Sequence, residues 1–242
     1  PEVFNAFNDD MGERFLEALG RAGSDQVRCV VITGAGKAFC AGEDLRALAS
    51  DYAKGTPPDH AEILKRRYNP AIESIMALDK PVIAGINGVA AGAGVSLALA
   101  CDLRVIAQGA KLALAFSKVG LVPDSGATWL LPKYLGVGRA MELALTGDPI
   151  TADRALDLGL VNKVVAQSDF ADVVGELADS LANGPTRAFS LTKGLIWKAS
   201  GGHLKEHLSE EADAQRQAGA TEDHLEGIAA FGEKRSAAFK GR

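Results

Sequence analysis

Cysteine and histidine, the residues that most often carry metals and reactive thiols, are scarce in this sequence. Three cysteines and four histidines occur among its 242 residues. Cys29, Cys40 and Cys101 stand in apolar or Gly/Ala surroundings without metal-site spacing, so we expect reduced, buried thiols of a cytoplasmic protein. His203 and His207 lie four residues apart, but no carboxylate or cysteine framework supports them as ligands. The sequence therefore predicts no metal site.

Long apolar runs and an excess of positive charge are also absent. No run approaches the roughly 18 apolar residues that cross a bilayer, and the formal net charge is −5. These properties argue against a membrane protein and against nucleic acid as the main partner. The Gly-X-Ser-X-Gly turn of serine hydrolases is missing too, so no motif supports serine hydrolase activity.

Glycine, in contrast, is abundant, and residues 80–102 use it in the most informative way. An apolar strand over residues 81–86 runs into a stretch of glycine and alanine, and an apolar helix follows over residues 94–100. Small residues leave backbone N–H groups bare at the helix N-terminus. Such a place can hold an anion, or an oxygen that becomes negative during a reaction. The alternative is a tight turn that only packs a strand against a helix.

Two further segments favour the chemical interpretation. A β-branched strand over residues 27–33 is followed by glycines and by the sequence Phe-Cys-Ala-Gly-Glu-Asp-Leu over residues 39–45, which again predicts a helix start after glycine. In residues 116–129, Asp124 follows a proline and precedes Ser-Gly. Asp124 could supply an acid, or could be the N-cap of a helix over residues 125–135. A helix dipole would lower its pKa, whereas an apolar pocket of Phe116, Val122 and Trp129 would raise it.

The rest of the pattern predicts an α/β fold with a sheet-containing core over residues 1–166 and a helical region over residues 167–242. We expect a mobile loop at residues 50–60, which are rich in glycine, proline and charge, and a helix over 61–78 that is kinked at Pro70. Other strands are predicted at residues 103–107 and 111–116, and other helices at residues 8–23, 138–146, 151–158, 169–182, 185–199, 203–218 and 222–236.

The glycine-rich segments and the Asp124 segment, in this order and spacing, resemble the crotonase (enoyl-CoA hydratase/isomerase) superfamily. The resemblance implies a spiral of ββα units with a helical C-terminal trimerisation region, and a chain that lacks the family's first strand. It implies an acyl-CoA thioester substrate, with coenzyme A as part of the substrate and no permanently bound cofactor. The partner is then a second copy of the chain, in a homotrimer or a dimer of trimers.

The resemblance also assigns roles to residues. It places two backbone N–H donors of an oxyanion hole on Glu43 and Ala93, so that neither side chain is decisive. The residues implied to contact the substrate are Phe4, Ala6, Ala41, Asp44, Leu45, Gly92 and Phe116, with Phe231 and Lys234 contributed by a neighbouring subunit. The tail over residues 230–242, with four cations and one acid, would face the phosphates of coenzyme A. Residues 46–62 and the helix after Pro70 would shape the acyl pocket.

Departures from the family pattern favour an isomerase. Hydratases of the superfamily use two glutamates, and the matching positions here hold Ser96 and Phe116. Asp124 is then the one acid of these motifs, and a single carboxylate can take a proton from one carbon and return it to another.

Residues 115–124 most resemble ring-1,2-epoxyphenylacetyl-CoA isomerases of phenylacetate breakdown. The alternatives are a Δ3,Δ2-enoyl-CoA isomerase, a member grouped only generically with the enoyl-CoA hydratases, an aryl-CoA dehalogenase with Asp124 as nucleophile, or an acyl-CoA-binding pseudoenzyme.

Overall fold

The computed structural model describes residues 1–199 and 201–242, without the side chains of residues 50 and 51. The strands are β1 (Val30–Thr33), β2 (Ala38–Cys40), β3 (Val82–Ile86), β4 (Val89–Ala91), β5 (Leu103–Ala107), β6 (Lys111–Ala113), β7 (Ile150–Thr151) and β8 (Lys163–Val165). The helices are α1 (Asp9–Ala22), α2 (Leu45–Ala53), α3 (His60–Ile63), α4 (Asn69–Ala77), α5 (Ala93–Ala100), α6 (Ala127–Leu135), α7 (Val137–Thr146), α8 (Ala152–Asp157), α9 (Phe170–Ala182), α10 (Thr186–Ala199), α11 (Leu204–Gly219) and α12 (Glu222–Glu233).

The strands form two four-stranded sheets, and the chain passes between them several times. One sheet has the order β1-β3-β5-β8 and is parallel, and the other has the order β2-β4-β6-β7 with only the β6–β7 pair antiparallel. Each successive pair of strands contributes one strand to each sheet, and helices follow the pair. This is the ββα repeat that the sequence resemblance implied.

Several sequence predictions need correction. The short strands β2 and β4 lie in the glycine-rich segments, where the sequence predicted only turns. The strand expected at 111–116 ends at Ala113, and Ala115–Val119 is a 3₁₀ turn. The predicted loop at 50–60 begins later, because α2 continues to Ala53.

The predicted helix is not uniformly α-helical. A π-helical turn over Leu64–Tyr68 lies between α3 and α4 without a break in the helical backbone, and Pro70 is the second residue of α4. The departure from α-helical geometry therefore lies before the proline. This turn is important for the site described below.

The core lies where β3 and α5 pack, and both are buried throughout. β3 reads Val-Ile-Ala-Gly-Ile, and every residue of α5 is buried. A parallel strand covered on both faces and a central helix need this nearly continuous apolar sequence. Cys40 and Cys101 belong to the same core, and burial raises their thiol pKa values to about 11 and about 12.

All elements after β8 are helical, and the C-terminal tail folds back on the chain. Arg28 donates to the carbonyl of Phe239 (2.9 Å) and to the hydroxyl of Thr186 (3.0 Å). The tail cations have acidic partners on or beside α12. Arg235 binds Glu226, and both Lys240 and Arg242 lie within 4 Å of Glu222. Three of the four tail cations therefore have acidic partners within the chain, and the expectation that the tail faces phosphate stays a prediction.

Large apolar side chains remain exposed on these helices, and they are Ile196, Leu204, Leu208, Leu225, Ile228 and Phe231. Within residues 1–199 and 201–242, no helix is both long enough and apolar enough to cross a membrane.

The helix glycines of α5 and α9 provide a test of the core contact. A Cβ on Gly94 would lie 2.2 Å from the Cys40 carbonyl oxygen, whereas one on Gly175 meets nothing within 4 Å. We expect Gly175→Ala to raise the free energy of unfolding by about 0.5–1 kcal/mol, the helix-propensity gain. Gly94→Ala should lower it by about 1–3 kcal/mol because the core cannot accept the methyl group. Chemical denaturation measures both, and equal effects would contradict the packing described.

Candidate active site

A cavity of about 210 Å³ opens between the two glycine-rich segments and the π-helical turn. Its wall is mostly apolar, with the four polar side chains of Glu43, His60, Tyr68 and Asp124. The apolar lining comes from Leu45, Ile63, Leu64, Phe116, Val119, Leu121 and Val122 and from the small residues Ala41, Ala91, Gly92, Ala93 and Ala115. Residues 46–62 contribute to the wall as expected. The helix after Pro70 does not, because its place is taken by the turn before it.

The backbone N–H groups of Glu43 and Ala93 are both available at this cavity. Phe7 bonds with Gly42 and Asp44 on either side of Glu43, so the N–H of Glu43 is directed away from that pairing. Ala93 is the first residue of α5, and its N–H has no partner within the helix. A Cβ on Gly42 would lie 3.3 Å from the Ala93 nitrogen, so the two segments touch through their backbones. The structure thus brings both predicted donors to one place.

The Asp124 carboxylate lies half-buried in the same cavity. Loss of hydration in this apolar surrounding raises its pKa, the Ser125 hydroxyl at 2.7 Å opposes the rise, and the negative charge of Glu43 adds to it. His60 acts in the opposite direction. Phe116 and Val122 line this pocket as predicted. Trp129 does not, because it stacks on Trp197 at a ring-centroid distance of 5.6 Å.

Asp124 does not cap the following helix. The residue before α6 is Gly126, and no side chain accepts a hydrogen bond from the first turn. Ser125 and Gly126 both have positive φ, 51° and 82°, and this left-handed turn carries the chain into the helix. The backbone carbonyl of Asp124, and not its carboxylate, accepts a hydrogen bond from the Ala127 N–H. The structure therefore contradicts the cap interpretation, and the role of Asp124 as an acid stays a prediction.

The Glu43 side chain is a functional feature that sequence reasoning missed. Its carboxylate lines the cavity and accepts hydrogen bonds from Arg67 (2.7 Å to both oxygens) and from the Tyr68 hydroxyl (2.8 Å). Arg67 and Tyr68 come from the π-helical turn, and such turns are frequent at functional sites. The pairing of Glu43 with Arg67 spans 24 residues, so it leaves no local pattern in the sequence. The available signal was the acidic residue directly after the glycine-rich segment.

His60 was also missed. Its ring lines the cavity, and the Tyr52 hydroxyl lies 2.7 Å from His60 Nε2. The pair stands on α2 and α3, in the region that was expected to form only a loop. It gives the cavity wall a polar group.

The two positions that depart from the hydratase pattern are both buried. Ser96 lies in α5 and donates to the Asp124 carbonyl at 3.0 Å, so its hydroxyl supports the Asp124 turn. Phe116 covers the cavity with an aromatic ring. Neither side chain can activate a water molecule as a carboxylate does.

The other residues implied to bind substrate lie outside the cavity wall. The carbonyl of Phe4 accepts from Ala41, so the segment of Phe4 and Ala6 lies beside the first donor segment. The Asp44 carboxylate accepts from the N–H groups of Arg46 and Ala47 at the start of α2, which is a capping role. Among the described residues, no cluster of three histidine, cysteine or acidic side chains could hold a metal ion.

Phe231 and Lys234 stand at the end of α12, away from this cavity. Phe231 is 86% exposed, and Lys234 ends the helix in a left-handed conformation. No ion pair of Lys234 occurs within residues 1–199 and 201–242. Phe231 is thus mostly exposed, and Lys234 has no acidic partner in this part of the chain.

Comparison with known proteins agrees with this arrangement. The chain matches the family described as Enoyl-CoA hydratase/isomerase over residues 1–242. It is 44% identical over 243 residues to a 1,2-epoxyphenylacetyl-CoA isomerase of Escherichia coli (strain K12), with 100% of this chain and 92% of the relative covered.

Solved structures agree as well. A structure of an enoyl-CoA hydratase from Bacillus anthracis superimposes with a TM-score of 0.92 at 35% identity and covers 100% and 92% of the two chains. One from Polaromonas sp. JS666 gives 0.90 at 38% identity, covering 99% and 93%. The predicted fold is confirmed, and the names of these proteins include both isomerase and hydratase.

The raised pKa of Asp124 predicts a pH-dependent cost in stability. An aspartate in the unfolded chain loses its proton near pH 3.8, whereas the folded protein holds that proton to higher pH. The folded state binds more protons in this window, so stability falls as pH rises from about 4 through the raised pKa. Asp124→Asn removes this term. We expect the variant to gain stability relative to the wild type above pH 4, as measured by urea unfolding from pH 4 to 8. A constant difference across that range would contradict the burial.

Proposed function

The chain belongs to the enoyl-CoA hydratase/isomerase family, and we propose that it is an isomerase that relocates a proton on an acyl-CoA thioester. One observation carries the proposal. Two free backbone N–H groups and one carboxylate that makes no ion pair within the described residues meet in a single, mostly apolar cavity. The isomerase assignment, the substrate and the residue roles below are parts of this proposal.

The N–H groups of Glu43 and Ala93 bind the thioester carbonyl oxygen. When a proton leaves the α-carbon, that oxygen gains negative charge, and two fixed donors in a dry cavity stabilise it by several kcal/mol. Ala93 adds the positive end of the α5 dipole. These two hydrogen bonds are stronger in the enolate than in the bound substrate, and this difference increases the rate.

Asp124 takes the proton from the α-carbon and returns it at another carbon. Its raised pKa supports this role, because an acid/base is most effective when its pKa approaches the working pH. The Ser125 hydroxyl holds one carboxylate oxygen and leaves the other for the substrate. Removal of a proton at one carbon and return of a proton at another amounts to isomerisation without addition of water.

The substrate that we favour is 1,2-epoxyphenylacetyl-CoA, rearranged to its oxepin isomer in phenylacetate breakdown. The 44% identical relative bears the name of that isomerase, and the apolar wall with Phe116 suits a ring. A 3-enoyl to 2-enoyl shift uses the same groups. An aryl-CoA dehalogenase would leave a covalent ester on Asp124 in a single turnover, and a pseudoenzyme would bind thioester without exchanging protons.

Coenzyme A enters as part of the substrate, and no resident cofactor is needed. Phe4, Ala6 and the backbone of Ala41, Asp44 and Leu45 lie along its path to the cavity. Phe231 and Lys234 reach it from a neighbouring copy.

We therefore expect a trimer or a dimer of trimers, in which the exposed apolar residues of α11 and α12 are covered. Light scattering at working concentration measures this. A fully active monomer would contradict it.

Hydration of a 2-enoyl-CoA should be negligible. Ser96 and Phe116 stand where the hydratase carboxylates would be, so no second free acid is available to activate water. Crotonyl-CoA turnover followed by absorbance is the measurement. A rate typical of enzymes, on the order of 1–1000 per second, would disprove this expectation.

Asp124→Asn should lower the isomerisation rate by about 100-fold to 10,000-fold, because the amide keeps the shape but accepts no proton. Thioester affinity should hardly change, since the backbone donors remain. The measurement is mass spectrometry of products from a panel of acyl-CoAs in deuterium oxide, with melting temperature on the same preparation. A wild-type rate in the variant would show that Asp124 is not the acid/base.

A further inference from the structure

One buried arginine holds the side chain of the residue that supplies the first oxyanion donor. Arg67 Nη1 lies 2.7 Å from both carboxylate oxygens of Glu43, and Arg67 is only 6% exposed. The Tyr68 hydroxyl binds one of the same oxygens at 2.8 Å. The other terminal nitrogen of Arg67 binds Asp9.

The backbone around Glu43 is held from the opposite side. Phe7 donates to the Gly42 carbonyl (2.7 Å) and accepts from the Asp44 N–H (2.9 Å). Arg67 Nη1 also lies 3.4 Å from the carbonyl oxygen of Phe7. Arg67 therefore contacts both Phe7 and Glu43, the two residues whose bridge sets the direction of the Glu43 N–H.

The chain makes room for this arginine at some cost. A Cβ on Gly12, in α1, would lie 2.4 Å from Arg67 Cγ. A glycine inside a helix is less stable than alanine, so its presence here fits the need to seat the arginine against α1. The π-helical turn places Arg67 and Tyr68, adjacent in sequence, so that both reach the same carboxylate.

The peptide that joins Gly42 to Glu43 is held at its carbonyl by the Phe7 N–H, and Gly42, with a φ of 84°, has no side chain that adds to this restraint. Rotation of that peptide would turn the N–H away from the cavity. An unpaired Glu43 carboxylate would also place negative charge beside an oxygen that becomes negative in the reaction. Arg67 restrains the peptide and neutralises this charge.

We infer that Arg67, acting through the Glu43 carboxylate, is a positioning residue of the oxyanion hole. This inference depends on the proposed function, since it concerns the donor that the thioester oxygen would use. The competing view is an ion pair that only stabilises the fold. The two differ in their effect on catalysis by folded protein.

Arg66 provides a matched control. It is the next residue of the same turn and binds the same Asp9 at 2.7 Å, but its side chain is exposed and has no hydrogen bond to Glu43 within the described chain. R66M therefore removes an arginine and an ion pair without touching the donor residue.

The experiment follows exchange of the α-protons of phenylacetyl-CoA in deuterium oxide by NMR, with melting temperature on each preparation. We expect R67M to lower kcat for exchange by about 10-fold to 100-fold, the scale of a misplaced oxyanion donor, with little change in KM. The double variant R67M/E43Q should recover part of the rate, because it removes the unpaired charge. R66M should stay within about twofold of the wild type.

Each outcome decides between the two views. Wild-type kcat in R67M with a lowered melting temperature would overturn the inference, as would an equal loss of rate in R66M. If R67M fails to fold, R67K is the second variant, because lysine keeps the positive charge but lacks the planar set of guanidinium N–H donors. An unchanged kcat in R67K would overturn the inference. Absence of exchange in the wild type would overturn the proposed function, and this inference with it. A failure of this inference alone would leave exchange in the wild type intact, so the two failures can be told apart.

Discussion

The site depends on the direct contact of two backbones that have no side chains between them. A Cβ on Gly94 would lie 2.2 Å from the Cys40 carbonyl oxygen, one on Gly88 would lie 2.1 Å from that of Lys37, and one on Gly42 would lie 2.9 Å from that of Ala91. These contacts pair β2 with β4 and bring the start of α5 against residues 42–43. Because each donor belongs to a different segment, only this close approach can aim both at one oxygen.

Electrostatics in the cavity then separate two carboxylates by their surroundings. Glu43 has three hydrogen bonds from Arg67 and Tyr68, and its charge is matched by a buried guanidinium. Asp124 has one neutral donor, Ser125, and an apolar wall that raises its pKa. Loss of hydration therefore favours the protonated form of Asp124.

The elements that form the site could largely be predicted from the sequence, whereas the contacts between distant segments could not. The apolar strand before Gly88 and the helix after Gly92 were predictable from composition, because burial on both faces demands such residues. The strands β2 and β4 were not, since three residues among glycines carry no strand periodicity. Arg67 could not be picked out from the sequence, because its contacts with Asp9 and Glu43 join segments that are distant along the chain. Asp124 was ambiguous because a residue that precedes a helix can cap it, and only the structure shows that Gly126 takes the cap position instead.

The two carboxylates of the cavity change the reason for proposing an isomerase. From sequence it rested on there being one acid among the motifs, yet the cavity contains two. What distinguishes them is that the second is already bound on both oxygens by a buried cation and by a hydroxyl. To activate water, Glu43 would have to accept a proton on an oxygen that already binds Arg67 or Tyr68, and Arg67 would then keep only Asp9 as a charged partner among the described residues. Our proposal of proton relocation by Asp124 alone therefore rests on which acid is free, and Arg67 is the residue that makes the difference.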